Sequence, residues 1–322
     1  MKRFLKLAAT LALVAVVLWI VGDPRAIAKL FAQMDGRYVL VAAAVATIDR
    51  VLMTFKWGLL LRAKGMTLPL WRGTRIYCAS MIWGMFLPST VGADAIRTLL
   101  THRAGIDGKT VVASIVIERI IGFLSASLLG LISFAFLRNI NVIGEEFDTV
   151  LYAGALLLAA GTAVFALSLT RSWYDRLVAL LPSGIARRRI VIRLTELHRT
   201  YVGYAASRRI LGTFFALTFA EQLLPILYSW VLAAAFGVDI TLILMAGVIP
   251  LTLLIARLPI SIDGIGLYES TFIALMALGG VPPPVALSIA LAGRIVQTLA
   301  WLPWWFAYTL ELGQLKPPHA ET

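Results

Sequence analysis

Residues 87–97 read LPSTVGADAIR, and this short stretch decides how the chain folds. It follows an apolar run at 76–86 and precedes a longer one at 111–137. Proline cannot continue a helix interior, and aspartate and arginine are costly in lipid, so a membrane-spanning helix should break here. Whether the chain then crosses the membrane or turns back sets the orientation of every later segment.

The composition indicates the class of protein. Of 322 residues, 60% are hydrophobic and 14% are charged, whereas soluble domains have about 45–50% and about 25%. We assign the net charge of +12 to cytoplasmic loops, where Lys and Arg collect, because the sequence shows no basic soluble domain that would bind nucleic acid. One cysteine and three scattered histidines give no metal-ligand spacing, so we expect no metal and no cofactor.

We predict an all-α polytopic membrane protein with about six full spans and two re-entrant helical hairpins. The apolar stretch at 4–21 is interpreted as an uncleaved first span, although the small residues at 26–28 also suit a signal-peptide cleavage site. Two stretches are broken, and each is expected to form a hairpin. The candidate spans are 4–21, 38–61, the broken 76–100, 111–137, 150–169, 210–236, the broken 240–278, and 285–310.

The charges of the loops orient these spans. The loop at 62–75 carries four basic residues and no acid, and the segment at 171–209 carries nine arginines against two acids. Both therefore belong in the cytoplasm, but three apolar stretches lie between them, and three crossings would place them on opposite sides. One stretch must return, and the broken 76–100 is the candidate. The same count places both termini in the cytoplasm.

An internal repeat follows from the positions of the breaks. Gly105 precedes Arg119 by the same spacing as Gly280 precedes Arg294, and each arginine is followed by isoleucine. We predict one integral membrane domain over 1–322, with a first half at 1–137 and an inverted second half at 150–312. The segment 171–209 is predicted to lie along the cytoplasmic interface, an ordinary basic loop being the alternative. The predicted hairpin tips are Pro88, Gly92, Pro259, Gly264 and Gly266.

Ionisable residues inside predicted spans mark candidate functional positions, because burying a charge in lipid is costly. They either pair with one another or bind a ligand, and the sequence leaves both readings open. Arg119 and Arg294 occupy matched positions, and the guanidinium fork binds phosphate with two hydrogen bonds. We expect Arg97, Arg119 and Arg294 to bind a headgroup phosphate, and Asp94, Glu118, Asp263 and Glu269 to orient those arginines or to titrate. Further intramembrane charges are Asp49, Arg50, Lys56, Glu221 and Arg257.

The residues that carry these predictions also resemble a known family. The stretches FLPSTVGADAIRTLLTHRAGIDGKTVVASIVIERIIGFLS at 86–125, LPISIDGIGLYES at 258–270 and GGVPPPVALSIALAGRIV at 279–296 are similar to the lysylphosphatidylglycerol synthase transmembrane-region family, the flippase-like domain of the bacterial multiple peptide resistance factor. The basic-aromatic pair of that family corresponds to Lys56-Trp57. One departure is that Gly92 is followed by Ala93 before Asp94, so the acid is displaced by one residue.

The resemblance implies translocation of a phospholipid or isoprenoid-type lipid, such as a hopanoid, through a cavity between two inverted halves. The aminoacyltransferase domain of the full-length factor does not occur in these 322 residues, so synthesis of lysylphosphatidylglycerol is not expected. No ATP-binding loop or hydrolase motif occurs, so we expect a transporter and not an enzyme. The open alternatives are an integral-membrane enzyme or accessory protein of polyprenyl or terpenoid lipid biosynthesis, and a scaffold for lipid-biosynthetic enzymes. Membrane lipids are the expected partners, and homo-oligomers remain open.

Overall fold

The computed structural model describes residues 10–17, 24–86, 92–140, 144, 148–170, 174, 176, 179–180, 189–258, 261 and 264–314, and the described part contains helices and no strand. Its helices are α1 (10–17), α2 (Pro24–Ala32), α3 (Gly36–Arg62), α4 (Leu70–Gly84), α5 (Gly92–Arg103), α6 (Gly108–Asn139), α7 (Asp148–Ser168), α8 (Arg189–Val202), α9 (Arg208–Glu221), α10 (Leu223–Ala235), α11 (Leu242–Ala256), α12 (Leu267–Leu278) and α13 (Pro283–Gln314). A 3₁₀ turn, Gly203–Ser207, joins α8 to α9.

The all-α polytopic membrane class is confirmed. Five segments within the described ranges are long and apolar enough to cross a bilayer: Gly36–Arg62, Gly108–Asn139, Leu151–Ser168, Arg189–Ala235 and Pro283–Glu311. Large apolar side chains remain exposed along them, Leu40 and Leu157 at 73% each, as lipid-facing surface requires. The predicted first span at 4–21 is described only over 10–17.

The first broken stretch folds as two short helices. α4 has 15 residues and α5 has 12, so at about 1.5 Å per residue neither crosses the roughly 30 Å core of a bilayer. The two helices approach closely where α4 ends, because a Cβ on Gly84 would lie 2.6 Å from the Cβ of Ala93. Pro88, the predicted tip, lies outside the described residues, and Gly92 begins α5.

The hairpin returns to the end of the molecule at which it began. Lys109, just after the hairpin, bonds Glu196 of α8 at 2.5 Å. The hydroxyl of Tyr204, which follows α8, donates to the carbonyl of Leu60 at the end of α3 (3.1 Å). The ends of α3, α5 and α8 therefore meet on one side, which agrees with the loop charges. The cytoplasmic identity of that side and the depth of the hairpin in a bilayer stay predictions.

The second half repeats the element lengths of the first. α11 and α12 have 15 and 12 residues, matching α4 and α5, and both α6 and α13 have 32. α3 has 27 residues, and its counterpart is the pair α9 and α10, with 14 and 13 residues on either side of Gln222. Gly105 and Gly280, which follow α5 and α12 at the same spacing, both have positive φ values of 91° and 78°. We infer two copies of one structural unit.

The matched helices run antiparallel. Tyr204, just before α9, contacts the end of α3, whereas the N–H of Asp35, just before α3, donates to the carbonyl of Ala235 at the end of α10 (2.8 Å). α6 packs on α11 of the other half, and α13 packs reciprocally on α4. An inverted repeat with an approximate two-fold axis across the helices would produce this arrangement, and it stays a prediction. The boundaries of the halves and their inversion in a membrane stay predictions.

A proline explains the interruption between α9 and α10. Pro225 has no N–H to donate to the carbonyl of Glu221, so the helix breaks one turn before it. Glu221 is consequently the last residue of α9, next to the break, where its side chain reaches α3.

The basic segment 171–209 is described mainly from residue 189 onward. α8 exposes Ile190, Ile192 and Leu194, whereas Tyr201 and Val202 are buried against α6 and α9. Its placement along a membrane interface stays a prediction.

At the start of α6, Asp107 accepts from the N–H of Thr110 (3.0 Å). Burial opposes ionisation there, but the hydrogen bonds from Thr110 and the charge of Lys109 lower the pKa of Asp107 below its ordinary value.

Substituting Gly84 by alanine tests the hairpin contact. The new Cβ would lie 2.7 Å from the backbone Cα of Ala93, which cannot move without shifting α5. We expect a loss of about 1–3 kcal/mol of stability, read as a lower unfolding temperature in detergent. Gly58→Ala is the matched control, because nothing lies within 4 Å of its Cβ position and alanine favours the helix by up to about 1 kcal/mol. Equal unfolding temperatures for the two variants would contradict the contact.

Candidate functional site

Arg97 lies at the centre of a buried cluster in the first half. Its side chain is 2% exposed, and it donates to both carboxylate oxygens of Glu118 at 3.1 Å and to Asp94 at 3.3 Å. The guanidinium lies over the rings of Tyr77 (4.6 Å) and Trp57 (5.0 Å). Tyr77 also donates to Glu118 at 3.1 Å. Arg97 thus holds α5 against α3, α4 and α6.

A second kind of ion pair is repeated in both halves. Arg119 donates to Asp94 (2.8 Å), and Arg294 lies 3.0 Å from an oxygen of Glu269. Each arginine follows its acid by 25 residues. Each acid is the third residue of its short helix, and each arginine is the twelfth of its 32-residue helix. The sequence match between Arg119 and Arg294 therefore corresponds to matching contacts.

Among the described residues of the second half, the buried arginine cluster has no counterpart. The positions equivalent to Arg97 and Glu118 are occupied by Phe272, the sixth residue of α12, and Gly293, the eleventh of α13. Within the described part of both hairpins, the pair of the Arg294–Glu269 type is the one they share. The carbonyl of Gly293 accepts from the hydroxyl of Tyr228 at 2.5 Å.

Two further ion pairs involve α3. Asp49 pairs with the adjacent Arg50, whose guanidinium lies over the rings of Tyr77 and Trp301. Lys56, 2% exposed, donates to Glu221 at 2.6 Å and to Thr218 of α9 at 3.2 Å. The Lys56–Glu221 pair joins the two halves in the interior of the molecule.

A cavity of about 640 Å³ lies between the halves. Gly84 and Ala93 of the first hairpin and Ala256 and Gly264 of the second line it, so both hairpins reach the same space. Three cations and two carboxylates face this cavity: Arg50, Arg257, Arg294, Asp49 and Glu221. Neutral polar groups accompany them: Gln222, Tyr228, Ser229, Tyr268, Gln297 and Thr298.

The predicted site residues divide into groups. Arg294 lines the cavity, Arg119 is 57% exposed but is not part of its lining, and Arg97 and Glu118 form a buried pair between α5 and α6. The expectation that the charges pair with one another agrees with the contacts of Asp94, Arg97, Glu118, Arg119, Glu269 and Arg294. Asp263 and Pro259 lie outside the described residues. Gly266 approaches α1, and its N–H donates to Glu269 at 2.7 Å.

The helix N-terminus at the second hairpin is already occupied. The carboxylate of Glu269 caps Gly266 with one oxygen and accepts from Arg294 with the other. Helix N-termini attract anions, but an external anion at this one would have to compete with Glu269. The arginine side chains, and not the backbone, are the main donors available to a ligand in the cavity.

Sequence reasoning grouped Arg50 and Arg257 with the intramembrane charges but not with the ligand-binding residues. Arg257 is exposed and donates to the carbonyl of Gly122 in α6 at 2.6 Å, at the rim of the second hairpin. The sequence could have indicated Arg257 as a ligand-binding residue, because it lies just before the second break. Arg50 and Trp301 lie about 250 residues apart along the chain, so no local pattern indicated that they meet.

Comparisons with known proteins agree with the sequence resemblance. A family model described as the lysylphosphatidylglycerol synthase TM region matches residues 7–304. The chain is also similar to a UPF0104 membrane protein of Methanothermobacter thermautotrophicus, with 23% identity over 311 residues that cover 89% of this chain and 88% of that protein.

Proposed function

Because the chain belongs to the lysylphosphatidylglycerol synthase transmembrane-region family, we propose that it moves a phospholipid or isoprenoid-type lipid between the leaflets of a bacterial inner membrane. The headgroup passes through the cavity between the halves, while the acyl or isoprenoid chains remain in lipid. Both termini lie in the cytoplasm in this proposal.

The observation that carries the proposal is the charged cavity reached by both hairpins. Its volume of about 640 Å³ is within the roughly 300–1,000 Å³ of small-ligand sites. Irregular backbone at the depth of a bilayer is tolerated only where it is buried in protein or faces water, and the residues of both hairpins that line the polar cavity suit this condition. Binding near the midplane between inverted halves is the arrangement of alternating-access transporters.

The charges in the cavity favour an anionic group. Arg50, Arg257 and Arg294 outnumber Asp49 and Glu221, and an arginine fork suits phosphate oxygens. Arg294 has one ion-pair partner among the described residues, Glu269, and its side chain is 37% exposed, so it can bind a ligand. When the cavity opens to the opposite side of the membrane, Arg119 of the first half binds the headgroup, as Arg294 of the second half does before. Arg97 keeps the first hairpin in position.

Purified protein in liposomes tests the proposal. A trace of phospholipid labelled on its acyl chain is included, and a membrane-impermeant quencher reports the label in the outer leaflet. We expect the label to become fully accessible at a protein-dependent rate, with its mass unchanged by mass spectrometry. An altered mass would support the enzyme alternative. Movement no faster than in protein-free liposomes, for anionic, zwitterionic and polyprenyl-phosphate labels alike, would exclude translocation.

A further inference from the structure

We propose that Glu221, with Asp49 beside it, is the proton-binding site that couples lipid movement to a proton gradient. This inference rests on the proposed function and adds its energy source. The two carboxylates occupy matched places in the two halves: Asp49 is the fourteenth residue of α3, and Glu221 is the fourteenth of α9. Those helices run antiparallel, and both acids line the same cavity.

Both carboxylates are buried and face the cavity. Asp49 is 5% exposed and Glu221 is 8% exposed, and both line the cavity wall. They are close enough for their charges to interact. One oxygen of Asp49 accepts from Arg50, whereas its other oxygen, Oδ1, is buried and has no hydrogen-bond partner among the described residues. A buried carboxylate oxygen with no donor is a place where a proton can bind and supply the missing hydrogen bond.

The surrounding charges determine how one bound proton changes the net charge next to the cavity. With both acids ionised, Asp49, Arg50, Lys56 and Glu221 together are neutral, so one added proton leaves the group with a net positive charge. Among the described residues, the titratable and charged groups that line this cavity or interact with Asp49, Arg50 or Glu221 are Arg50 and Lys56 on α3, Tyr77 and Cys78 on α4, Tyr228 on α10, Arg257 at the end of α11, Tyr268 on α12 and Arg294 on α13.

Charge neutralisation then links the proton to the lipid. A phosphate that enters the cavity favours proton uptake at Glu221, and a proton at Glu221 favours phosphate binding, because each ligand offsets the charge of the other. The proton comes from water on the side where the headgroup enters and leaves with it on the other side. Lipid and proton therefore move in the same direction.

The position of Glu221 gives protonation a structural consequence. Glu221 ends α9 at the break before Pro225, and its bond to Lys56 ties the second half to the first. Protonation removes the charge that holds Lys56. This releases the buried ion pair between the halves at a point where the helix is already interrupted, as a rocking motion of one half against the other needs.

The test uses the full chain in phosphatidylcholine vesicles with a trace of acyl-labelled phosphatidylglycerol. A gradient of one pH unit is imposed, and valinomycin with equal potassium on both sides holds the membrane potential at zero. For one coupled proton, wild type should enrich the label about tenfold in the leaflet on the side of higher pH. A pH dye trapped inside the vesicles should report lipid-dependent proton entry.

Glu221→Gln should exchange the label between leaflets but leave it evenly distributed in the gradient, because the amide still accepts from Lys56 but cannot bind a proton. Asp49→Asn is the second variant and should reduce the enrichment. Glu196→Gln, at an exposed pair with Lys109, should behave as wild type. Even distribution of the label by wild type, or tenfold enrichment by Glu221→Gln, would overturn the coupling and leave translocation standing. No protein-dependent movement in wild type without a gradient would overturn translocation itself.

Discussion

Replacing Glu118 by alanine is expected to destabilise the folded protein by about 3–5 kcal/mol, because removing one partner of a buried ion pair leaves the other charge uncompensated. Arg97 is 2% exposed and makes two of its three carboxylate hydrogen bonds to Glu118. The remaining contact with Asp94 is longer, at 3.3 Å, and Asp94 is shared with Arg119. The apparent unfolding temperature in detergent micelles and the fraction eluting as a single species report this loss.

Two controls separate this effect from a general loss of charge. Glu196→Ala removes the same side chain from a pair whose members are about half exposed, and such pairs contribute only about 0–1 kcal/mol. The double variant Arg97→Met with Glu118→Leu should recover most of the stability, since buried pairs are often replaceable by apolar residues. The second half already has Phe272 and Gly293 at these places. Equal unfolding temperatures for Glu118→Ala and Glu196→Ala would show that Arg97 does not depend on Glu118.

Replacing Arg294 by alanine is expected to slow lipid translocation by about 10- to 150-fold, the equivalent of roughly 1.5–3 kcal/mol for hydrogen bonds to a charged group. Arg294 lies on α13, just after the second hairpin, and its charged side chain faces the cavity. Folding should be largely retained, because Glu269 keeps its bond to the N–H of Gly266 and still caps α12. The measurement is the rate at which labelled lipid becomes accessible in liposomes.

The controls for Arg294 test the chemistry of the contact. Arg37→Ala removes an arginine in the first turn of α3 whose side chain is 93% exposed and does not line the cavity, and this variant should move lipid at the wild-type rate. Arg294→Lys keeps the charge but loses the two-pronged donor, so an intermediate rate is expected. If Arg294→Ala moved lipid as fast as Arg37→Ala, the headgroup phosphate would have to bind elsewhere in the cavity.

Much of the fold could be predicted from the sequence because its signals are local. Apolar length indicated the spans, the proline and glycine of 87–97 and 258–266 indicated the breaks, and basic loops indicated which ends belong together. The 25-residue spacing between acid and arginine is also visible in the sequence, although we matched only the arginines. These features depend on the cost of placing polar groups in lipid, which each segment incurs wherever its neighbours lie.

The partners of the charges could not be predicted in the same way. Lys56 and Glu221 are 165 residues apart in the chain, and hydropathy alone does not show which cation a buried acid meets. Arg97 illustrates the difficulty: its sequence motif suggested a ligand-binding arginine, but packing places it between two rings and beside Glu118.

The sequence by itself therefore determined the membrane class, the two breaks and the charged residues near them. Only the tertiary structure decided that Asp49, Glu221 and Arg294 face one cavity, whereas Arg97 and Glu118 form a buried pair between α5 and α6. The physical reason is the difference in sequence distance over which the two effects act. Transfer of a segment into lipid depends on that segment's own composition, whereas an ion pair forms only when packing brings two distant side chains within a few ångströms of each other.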